Sequence, residues 1–292
     1  INAQGKLQSE PVATFSNAKE IGEGGLLGIA VHHNFSKNHY LYFYYTYSSS
    51  SNGDTLNRVV RRKFENAKLS VEEIIVDAIP GNANHNGGRI KFGPDNMLYI
   101  TTGDAQEPSH AQDKLSLAGK ILRVTDTGEA SPGNPFNNRT YSYGHRNPQG
   151  IAWDQSGQLW ATEHGRSGIQ SGLDELNKIE KGKNYGWPDS EGIRILPGTV
   201  GPVLNSGASS TWAPAGMAFY NNTLYFGGLR GAALYKVKLP VSAAEELMKD
   251  KYGRIRDVVL GPDNKLYITT SNLDGRGSPR QGDDLVLEID TP

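Results

Sequence analysis

Phe92-Gly-Pro-Asp-Asn-Met-Leu-Tyr-Ile100 and Leu260-Gly-Pro-Asp-Asn-Lys-Leu-Tyr-Ile268 are nearly the same nine residues, written twice in one chain. Ala152-Trp-Asp-Gln-Ser-Gly-Gln-Leu-Trp160 is a divergent third copy. Each reads as a strand end, a tight polar turn and a second strand. Around these turns, Arg89–Phe92 and Met97–Thr101 form one hairpin, and Gly150–Trp153 with Gln158–Thr162 another. Gly216–Phe219 with Thr223–Phe226, and Asp257–Leu260 with Lys265–Thr269, complete the set. Leu26–Val31 followed by Tyr40–Tyr47 is a looser pair. A β unit recurring at roughly 40–50 residues is the signature of propeller blades. The 292 residues divide into six blades of about 49. The expectation is an all-β, six-bladed β-propeller forming one domain over residues 1–292. Its long loops gather on one face, where residues distant in sequence can meet. Ser242–Lys249 is the only good helical stretch.

Composition narrows the chemistry. Glycine (35) is abundant, and tyrosine outnumbers phenylalanine, 14 to 8, as glycine-rich turns between aromatic strands require. Thirty basic and 31 acidic residues give a net charge of −1, so bulk charge points to neither nucleic acid nor an anionic membrane as partner. No run of apolar residues is long enough to span a membrane. Absence of cysteine excludes disulfides, thiolate metal sites and a cysteine nucleophile. Gly22-Glu-Gly-Gly lies between apparent strands rather than in a βαβ unit, which disfavours a nicotinamide cofactor. The chain opens at Ile1 rather than Met. That reads as a processed or trimmed N-terminus and gives the expectation of an exported, periplasmic or extracellular protein.

Four loop segments carry candidate chemistry. Asn82-Ala-Asn-His-Asn-Gly-Gly-Arg places His85 in a turn-rich loop entering a strand, where an imidazole suits a general base. Taken alone, a loop histidine is more often without a role. Tyr143-Gly-His-Arg-Asn-Pro pairs Arg146 with Asn147, donors suited to a carbonyl or developing oxyanion. Glu163-His-Gly-Arg, Gly172-Leu-Asp-Glu-Leu-Asn and Asn184-Tyr-Gly-Trp-Pro offer hard oxygen ligands of the kind calcium takes, without the acidic spacing of an EF-hand. Arg254-Ile-Arg256 puts two cations on one face of a strand, fit for a polyanionic ligand. Arg230 is an isolated candidate of the same kind.

Together with Gly22-Glu-Gly-Gly-Leu-Leu-Gly, these segments resemble the soluble quinoprotein glucose and aldose sugar dehydrogenases, the glucose/sorbosone dehydrogenase family. They come in the family's order over roughly residues 20 to 260. The resemblance implies a six-bladed propeller that binds pyrroloquinoline quinone (PQQ) on its loop face and oxidises the anomeric carbon of an aldose. It makes His85 the base and sets Arg146 and Asn147 at the quinone carbonyl. It gives the cofactor's calcium the backbone carbonyls of Gly165 and Arg166. It pairs Arg230, Arg254 and Arg256 with the cofactor's carboxylates. Glu23 would touch cofactor or sugar, and Asn84 the sugar. Glu175 and the Tyr185 carbonyl would hold a second calcium. Asn84 stands where the glucose enzyme has an acidic residue, Glu23 replaces a glutamine, Arg230 a lysine and Arg166 a proline. These changes favour the broad aldose branch over the strict glucose enzyme.

The expected partners are an aldose and an external electron acceptor, in a monomer or homodimer. The competing readings are a calcium-dependent sugar lactonase and a non-catalytic binding propeller, since fold alone does not fix function.

Overall fold

The computed structural model describes residues 5–168, 171–241 and 243–290. The first antiparallel sheet contains β1 (Leu26–Val31), β2 (Tyr40–Ser48), β3 (Thr55–Glu65), β4 (Lys68–Leu69) and β5 (Glu73–Pro80). The second contains β6 (Ile90–Phe92), β7 (Leu98–Thr102), β8 (Lys120–Val124) and β9 (Thr140–Tyr143). The third contains β10 (Pro148–Trp153), β11 (Leu159–Glu163), β12 (Glu175–Ile179) and β13 (Leu204–Asn205). The fourth contains β14 (Pro214–Tyr220), β15 (Thr223–Gly228), β16 (Ala233–Lys238) and β17 (Glu245–Leu247). The fifth contains β18 (Ile255–Leu260), β19 (Leu266–Thr270) and β20 (Val286–Ile289). Strands β1 and β6, β7 and β10, β10 and β14, and β14 and β18 lie against one another, so successive sheets follow in series.

The all-β propeller class stands, but the described residues build five blades, not six. Length division overcounts because the sheets consume unequal stretches of chain. The second, third and fifth include long excursions between strands, while the first and fourth are compact. The helix expected over Ser242–Lys249 is also corrected. Its centre is strand β17, which pairs with β16 through Leu234↔Leu247 and Lys236↔Glu245; Ser242 lies outside the described residues. Eight residues carry too little propensity to outweigh an open sheet edge beside them.

The repeated nonapeptide is explained by its turns. Gly93 N–H donates to Met97 O, Asp154 to Gln158 and Gly261 to Lys265, each at 2.8–3.0 Å. In each turn one residue is left-handed: Asn96 (φ 62°), Gly157 (φ 82°) or Asn264 (φ 61°), residue types that tolerate that region. The turn aspartate then accepts a bond from the aromatic residue of the next strand. Tyr99 reaches Asp95 at 3.1 Å, Trp160 reaches Asp154 at 2.9 Å and Tyr267 reaches Asp263 at 2.8 Å.

Strands β7, β11 and β15 bury both faces, which is why they read as continuous apolar runs, whereas β19 buries alternate residues only. Leu98 and Ile100 pack toward the first sheet, with Tyr42, Tyr44 and Val59. Tyr99, between them, packs toward the third, with Ile151, Leu159 and Ala161. Trp160 faces Met217, Leu224 and Phe226 of the fourth sheet, and Tyr225 faces Ile255, Val258 and Ile268 of the fifth. No helix among the described residues is long and apolar enough to cross a membrane.

Candidate active site

His85 sits between β5 and β6 in a left-handed conformation, φ 61°. Such a backbone is costly for a non-glycine residue and needs support from its surroundings. Its N–H donates to Glu23 Oε2 at 3.1 Å and its carbonyl accepts from Ala105 N–H at 3.1 Å. Gly103 leaves room for that carbonyl, since a Cβ there would lie 2.0 Å from His85 O. His85 Nδ1 lies 2.8 Å from Asp104 Oδ1. Asp104 is fully buried, and its Oδ2 accepts from Trp187 Nε1 at 2.8 Å. A carboxylate at Nδ1 fixes the proton there and leaves Nε2 as a free acceptor, the arrangement a general base requires.

Arg146 and Asn147 follow β9 in a buried turn. Glu163 on β11 accepts the Arg146 backbone N–H with one oxygen and His145 Nδ1, at 2.8 Å, with the other. Arg146 Nη2 donates to Ser167 Oγ at 2.7 Å, and its guanidinium lies 5.3 Å from the Trp187 ring centre. Burial pulls the Arg146 guanidinium below its ordinary pKa. Asn147 Oδ1 accepts from Gly87 N–H at 3.0 Å and Gln149 Nε2 at 3.1 Å. That leaves two adjacent buried donors, Arg146 Nε and Asn147 Nδ2, with no acceptor. Orphaned buried donors are uncommon, and this pair, with Arg146 lining a cavity, suits a ligand oxygen.

Cations gather at a cavity of about 950 Å³ lined by Glu23, Gly165, Arg166, Arg230, Arg254, Arg256, Asp274 and Arg276, among others. A smaller cavity of about 400 Å³ holds His85, Asp104, Arg146 and Trp187. Arg166 and Ser167 line both, so the two adjoin. Arg254 Nη2 and Arg256 Nη2 both reach Asp274 Oδ2, at 2.8 and 3.0 Å. Burial, then the neighbouring Arg254 charge, lowers the Arg256 pKa. Arg230 meets Ser171 Oγ at 3.0 Å, with no carboxylate partner among the described residues. Two arginines on one carboxylate and a third on none leave positive charge for a polyanion.

The sequence profile of the glucose/sorbosone dehydrogenase family matches residues 1–279. The chain belongs to that family. It is 32% identical to an aldose sugar dehydrogenase of Escherichia coli over 94% of this chain and 83% of that protein. Among solved structures, it is similar to the PQQ-bound aldose sugar dehydrogenase of Streptomyces coelicolor. The TM-score is 0.86 at 41% identity, covering 94% of this chain and 81% of the other. It is also similar to a putative oxidoreductase (glucose dehydrogenase) of Thermus thermophilus. There the TM-score is 0.87 at 43% identity, covering 93% and 85%.

Within this member of the glucose/sorbosone dehydrogenase family, the residues named from sequence fall into four groups. His85 and Arg146 share the smaller cavity, with Asn147 buried beside Arg146. Glu23, Arg230, Arg254 and Arg256 share the larger one with Gly165 and Arg166. Asn84 lies between, its amide nitrogen 3.4 Å from Gln106 Oε1 and its oxygen 3.0 Å from Arg276 Nη2. Glu175 and Tyr185 line neither cavity. Glu175 accepts from Gly192 N–H and Asn177 Nδ2, and burial, then the charge of Glu163, raises its pKa to about 8. The Tyr185 ring stacks on His145 at 4.7 Å.

The loop read as a calcium loop is held by its carboxylates rather than opened by them. Asp174 accepts Gly165 N–H with Oδ1, and Thr211, Trp212 and Ala213 with Oδ2, all at 2.7–2.9 Å. Arg166 pairs with Glu191. No cluster of three or more acidic or histidine side chains among the described residues is arranged to hold a metal. A cation there would depend on backbone oxygens, as at Gly165 and Arg166.

Four residues at the site escape sequence reasoning: Asp104, Glu163 as an anchor, Asp274 and Arg276. Asp104 had a usable signal. It follows directly on β7, at the same end of the second sheet as the His85 loop.

Proposed function

We propose that the protein oxidises the anomeric C1 hydroxyl of aldoses to the lactone, using PQQ and a calcium ion. The observation that carries this reading is the orphaned pair Arg146 Nε and Asn147 Nδ2 beside the Asp104–His85 pair. Relatives named as aldose sugar and glucose dehydrogenases, one solved with PQQ bound, support the cofactor and the substrate class.

Once bound, PQQ would supply a hydride acceptor and calcium a Lewis acid. His85 Nε2 takes the proton of the C1 hydroxyl, with Asp104 stabilising the imidazolium through Nδ1. Arg146 Nε and Asn147 Nδ2 donate to a carbonyl oxygen on which negative charge grows. Arg254, Arg256 and Arg230 bind the cofactor's carboxylates. Gly165 and Arg166 would offer carbonyls to the calcium, and Glu175 and the Tyr185 carbonyl would hold a second one. Asn84 and Glu23 sit where the sugar enters, and the electrons leave to an external acceptor.

The test is to add PQQ and calcium to the apoprotein, then an aldose panel and an artificial electron acceptor. PQQ-dependent dye reduction with at least one aldose is expected, and none with any aldose refutes the reading.

A further inference from the structure

Arg276 stands on the loop after β19, outside every motif that points to the site. Its Nη1 donates to Glu23 Oε1 at 2.7 Å and its Nη2 to Asn84 Oδ1 at 3.0 Å. The other Glu23 oxygen accepts the His85 amide at 3.1 Å. Arg276 is itself anchored, because its backbone N–H donates to Asp274 Oδ1 at 2.9 Å. Asp274 Oδ2 takes Arg254 and Arg256. One loop of the fifth sheet therefore touches both the cation pair and the flank of His85.

The left-handed backbone of His85 has three supports: Glu23 at its amide, Ala105 at its carbonyl and Asp104 at its ring. Ala105 and Asp104 come from the second sheet, next to His85 itself. Glu23 precedes β1, and its carboxyl is largely withdrawn from water. Burial by itself would raise its pKa, and the hydrogen bond from Arg276 is the strongest influence holding it down. Without that guanidinium, the Glu23 carboxyl gains by turning to solvent or taking a proton, and either change weakens its bond to the His85 amide.

We propose that Arg276 is a positioning residue for His85: it clamps Glu23 onto the His85 amide and Asn84 beside it, so that the fifth sheet aims His85 Nε2 at the substrate hydroxyl. This rests on the reading of His85 as the proton acceptor. A lysine at 276 keeps the charge and one of the two bonds, whereas glutamine keeps neither the charge nor the paired geometry.

The first measurement is amide hydrogen exchange in the cofactor-free protein. In Arg276→Gln, protection of the His85 amide falls about tenfold, the scale of one charge-assisted hydrogen bond, while that of Ile100 in the core is unchanged. Arg276→Lys keeps His85 protection within about threefold of the parent. The second uses protein loaded with PQQ and calcium. There kcat for an aldose falls about tenfold in Arg276→Gln and recovers to within about threefold in Arg276→Lys, while the PQQ titration midpoint stays put in both. Unchanged His85 protection in Arg276→Gln overturns the proposal, as does a kcat loss that lysine does not recover. A shift in the PQQ midpoint as large as the kcat loss assigns Arg276 to the cofactor and overturns it too. If the parent protein reduces no dye with any aldose, the dehydrogenase reading fails, and the exchange result alone decides whether Arg276 positions His85.

Discussion

Asp104→Asn is the substitution that most directly tests the chemistry of the site. Asp104 serves three donors: His85 Nδ1 (2.8 Å) and Gln106 N–H (2.8 Å) at Oδ1, and Trp187 Nε1 (2.8 Å) at Oδ2. An asparagine has one acceptor oxygen and one donor group, so one side must fail. With its oxygen toward His85 and Gln106, the new NH₂ faces the Trp187 N–H, donor against donor. With the amide turned over, Trp187 is satisfied, but the NH₂ faces Gln106 N–H and forces His85 Nδ1 to accept. The His85 proton then moves to Nε2, and the base is lost. Either state leaves one buried donor facing another, a stability cost of about 1–3 kcal/mol. General-base catalysis is worth about 10²–10⁴-fold, and at about 1.4 kcal/mol per tenfold that is roughly 3–5 kcal/mol of barrier. The expected result is a kcat for aldose-dependent dye reduction lowered by about 10²–10⁴, with the PQQ titration midpoint unchanged because the arginine set is intact. The assay is stopped-flow reduction of the bound cofactor by excess aldose, alongside a denaturant titration to confirm folding. A folded variant that turns over within about threefold of the parent refutes the need for the Asp104 carboxylate at His85.

Other consequences lie away from the reacting atoms. Lys120 is fully buried on β8, and its Nζ donates to the carbonyls of His110, Ala111 and Ala118 at 2.6–3.2 Å. Burial pulls its pKa to about 7, yet three acceptors are what an ammonium needs, so the charged form is favoured more than burial alone allows. Lys120→Met leaves the His110 and Ala118 carbonyls without a donor, an expected loss of about 2–4 kcal/mol in urea unfolding; a loss below about 0.5 kcal/mol would show that water replaces the ammonium. His32 accepts Asn34 N–H and Asn38 Nδ2 at Nδ1, so protonating that nitrogen breaks both bonds. Burial, then the charge of His33, lowers its pKa below 6.5. The unfolded chain therefore takes the proton first, and this part of the stability is full above pH 6.5 and lost as pH falls below it. Urea midpoints measured from pH 7 to 5 should fall less steeply in His32→Gln than in the parent, and equal slopes would discount His32.

The repeated turn was the most legible part of the sequence. Asn96, Gly157 and Asn264 occupy the same left-handed position, and the aspartate–aromatic bond across each turn keeps the motif together. The blade number was not legible, because it was obtained by division and the sheets take unequal lengths of chain. The Ser242–Lys249 stretch misled because local propensity counts for little beside an unpaired strand edge at β16. At the site, the convergence of Arg254 and Arg256 could be read, but not its cause: Arg254 precedes β18 and the register shifts between Ile255 and Asp257, so strand alternation does not set it. Their common partner Asp274 could not, because it arrives on a loop whose path no periodicity describes. Asn147 was named for its donors, but sequence does not show that Gly87 and Gln149 occupy its oxygen and leave Nδ2 unmet. Arg276 was hidden for the same reason as Asp274: its partners Glu23 and Asn84 lie near the other end of the chain.

The orphaned donors also bear on how the site is held without its ligand. A buried N–H without an acceptor costs about 1–3 kcal/mol, so Arg146 Nε and Asn147 Nδ2 together weaken the cofactor-free fold by several kcal/mol. They do not relax because their surroundings fix them. Glu163 holds the Arg146 amide, Ser167 takes one guanidinium nitrogen, and two donors pin the Asn147 oxygen. Asp274 does the same for the cations, holding Arg254 and Arg256 side by side although they repel. Stability is thus withheld at two places in one pair of cavities, and in both the missing partner is an oxygen-bearing acceptor. A ligand with a carbonyl at one end and carboxylates at the other recovers it at both. The same geometry that leaves these donors unmet within the chain would hold such a ligand rigidly, and a base that must meet a hydroxyl within hydrogen-bond distance needs that rigidity.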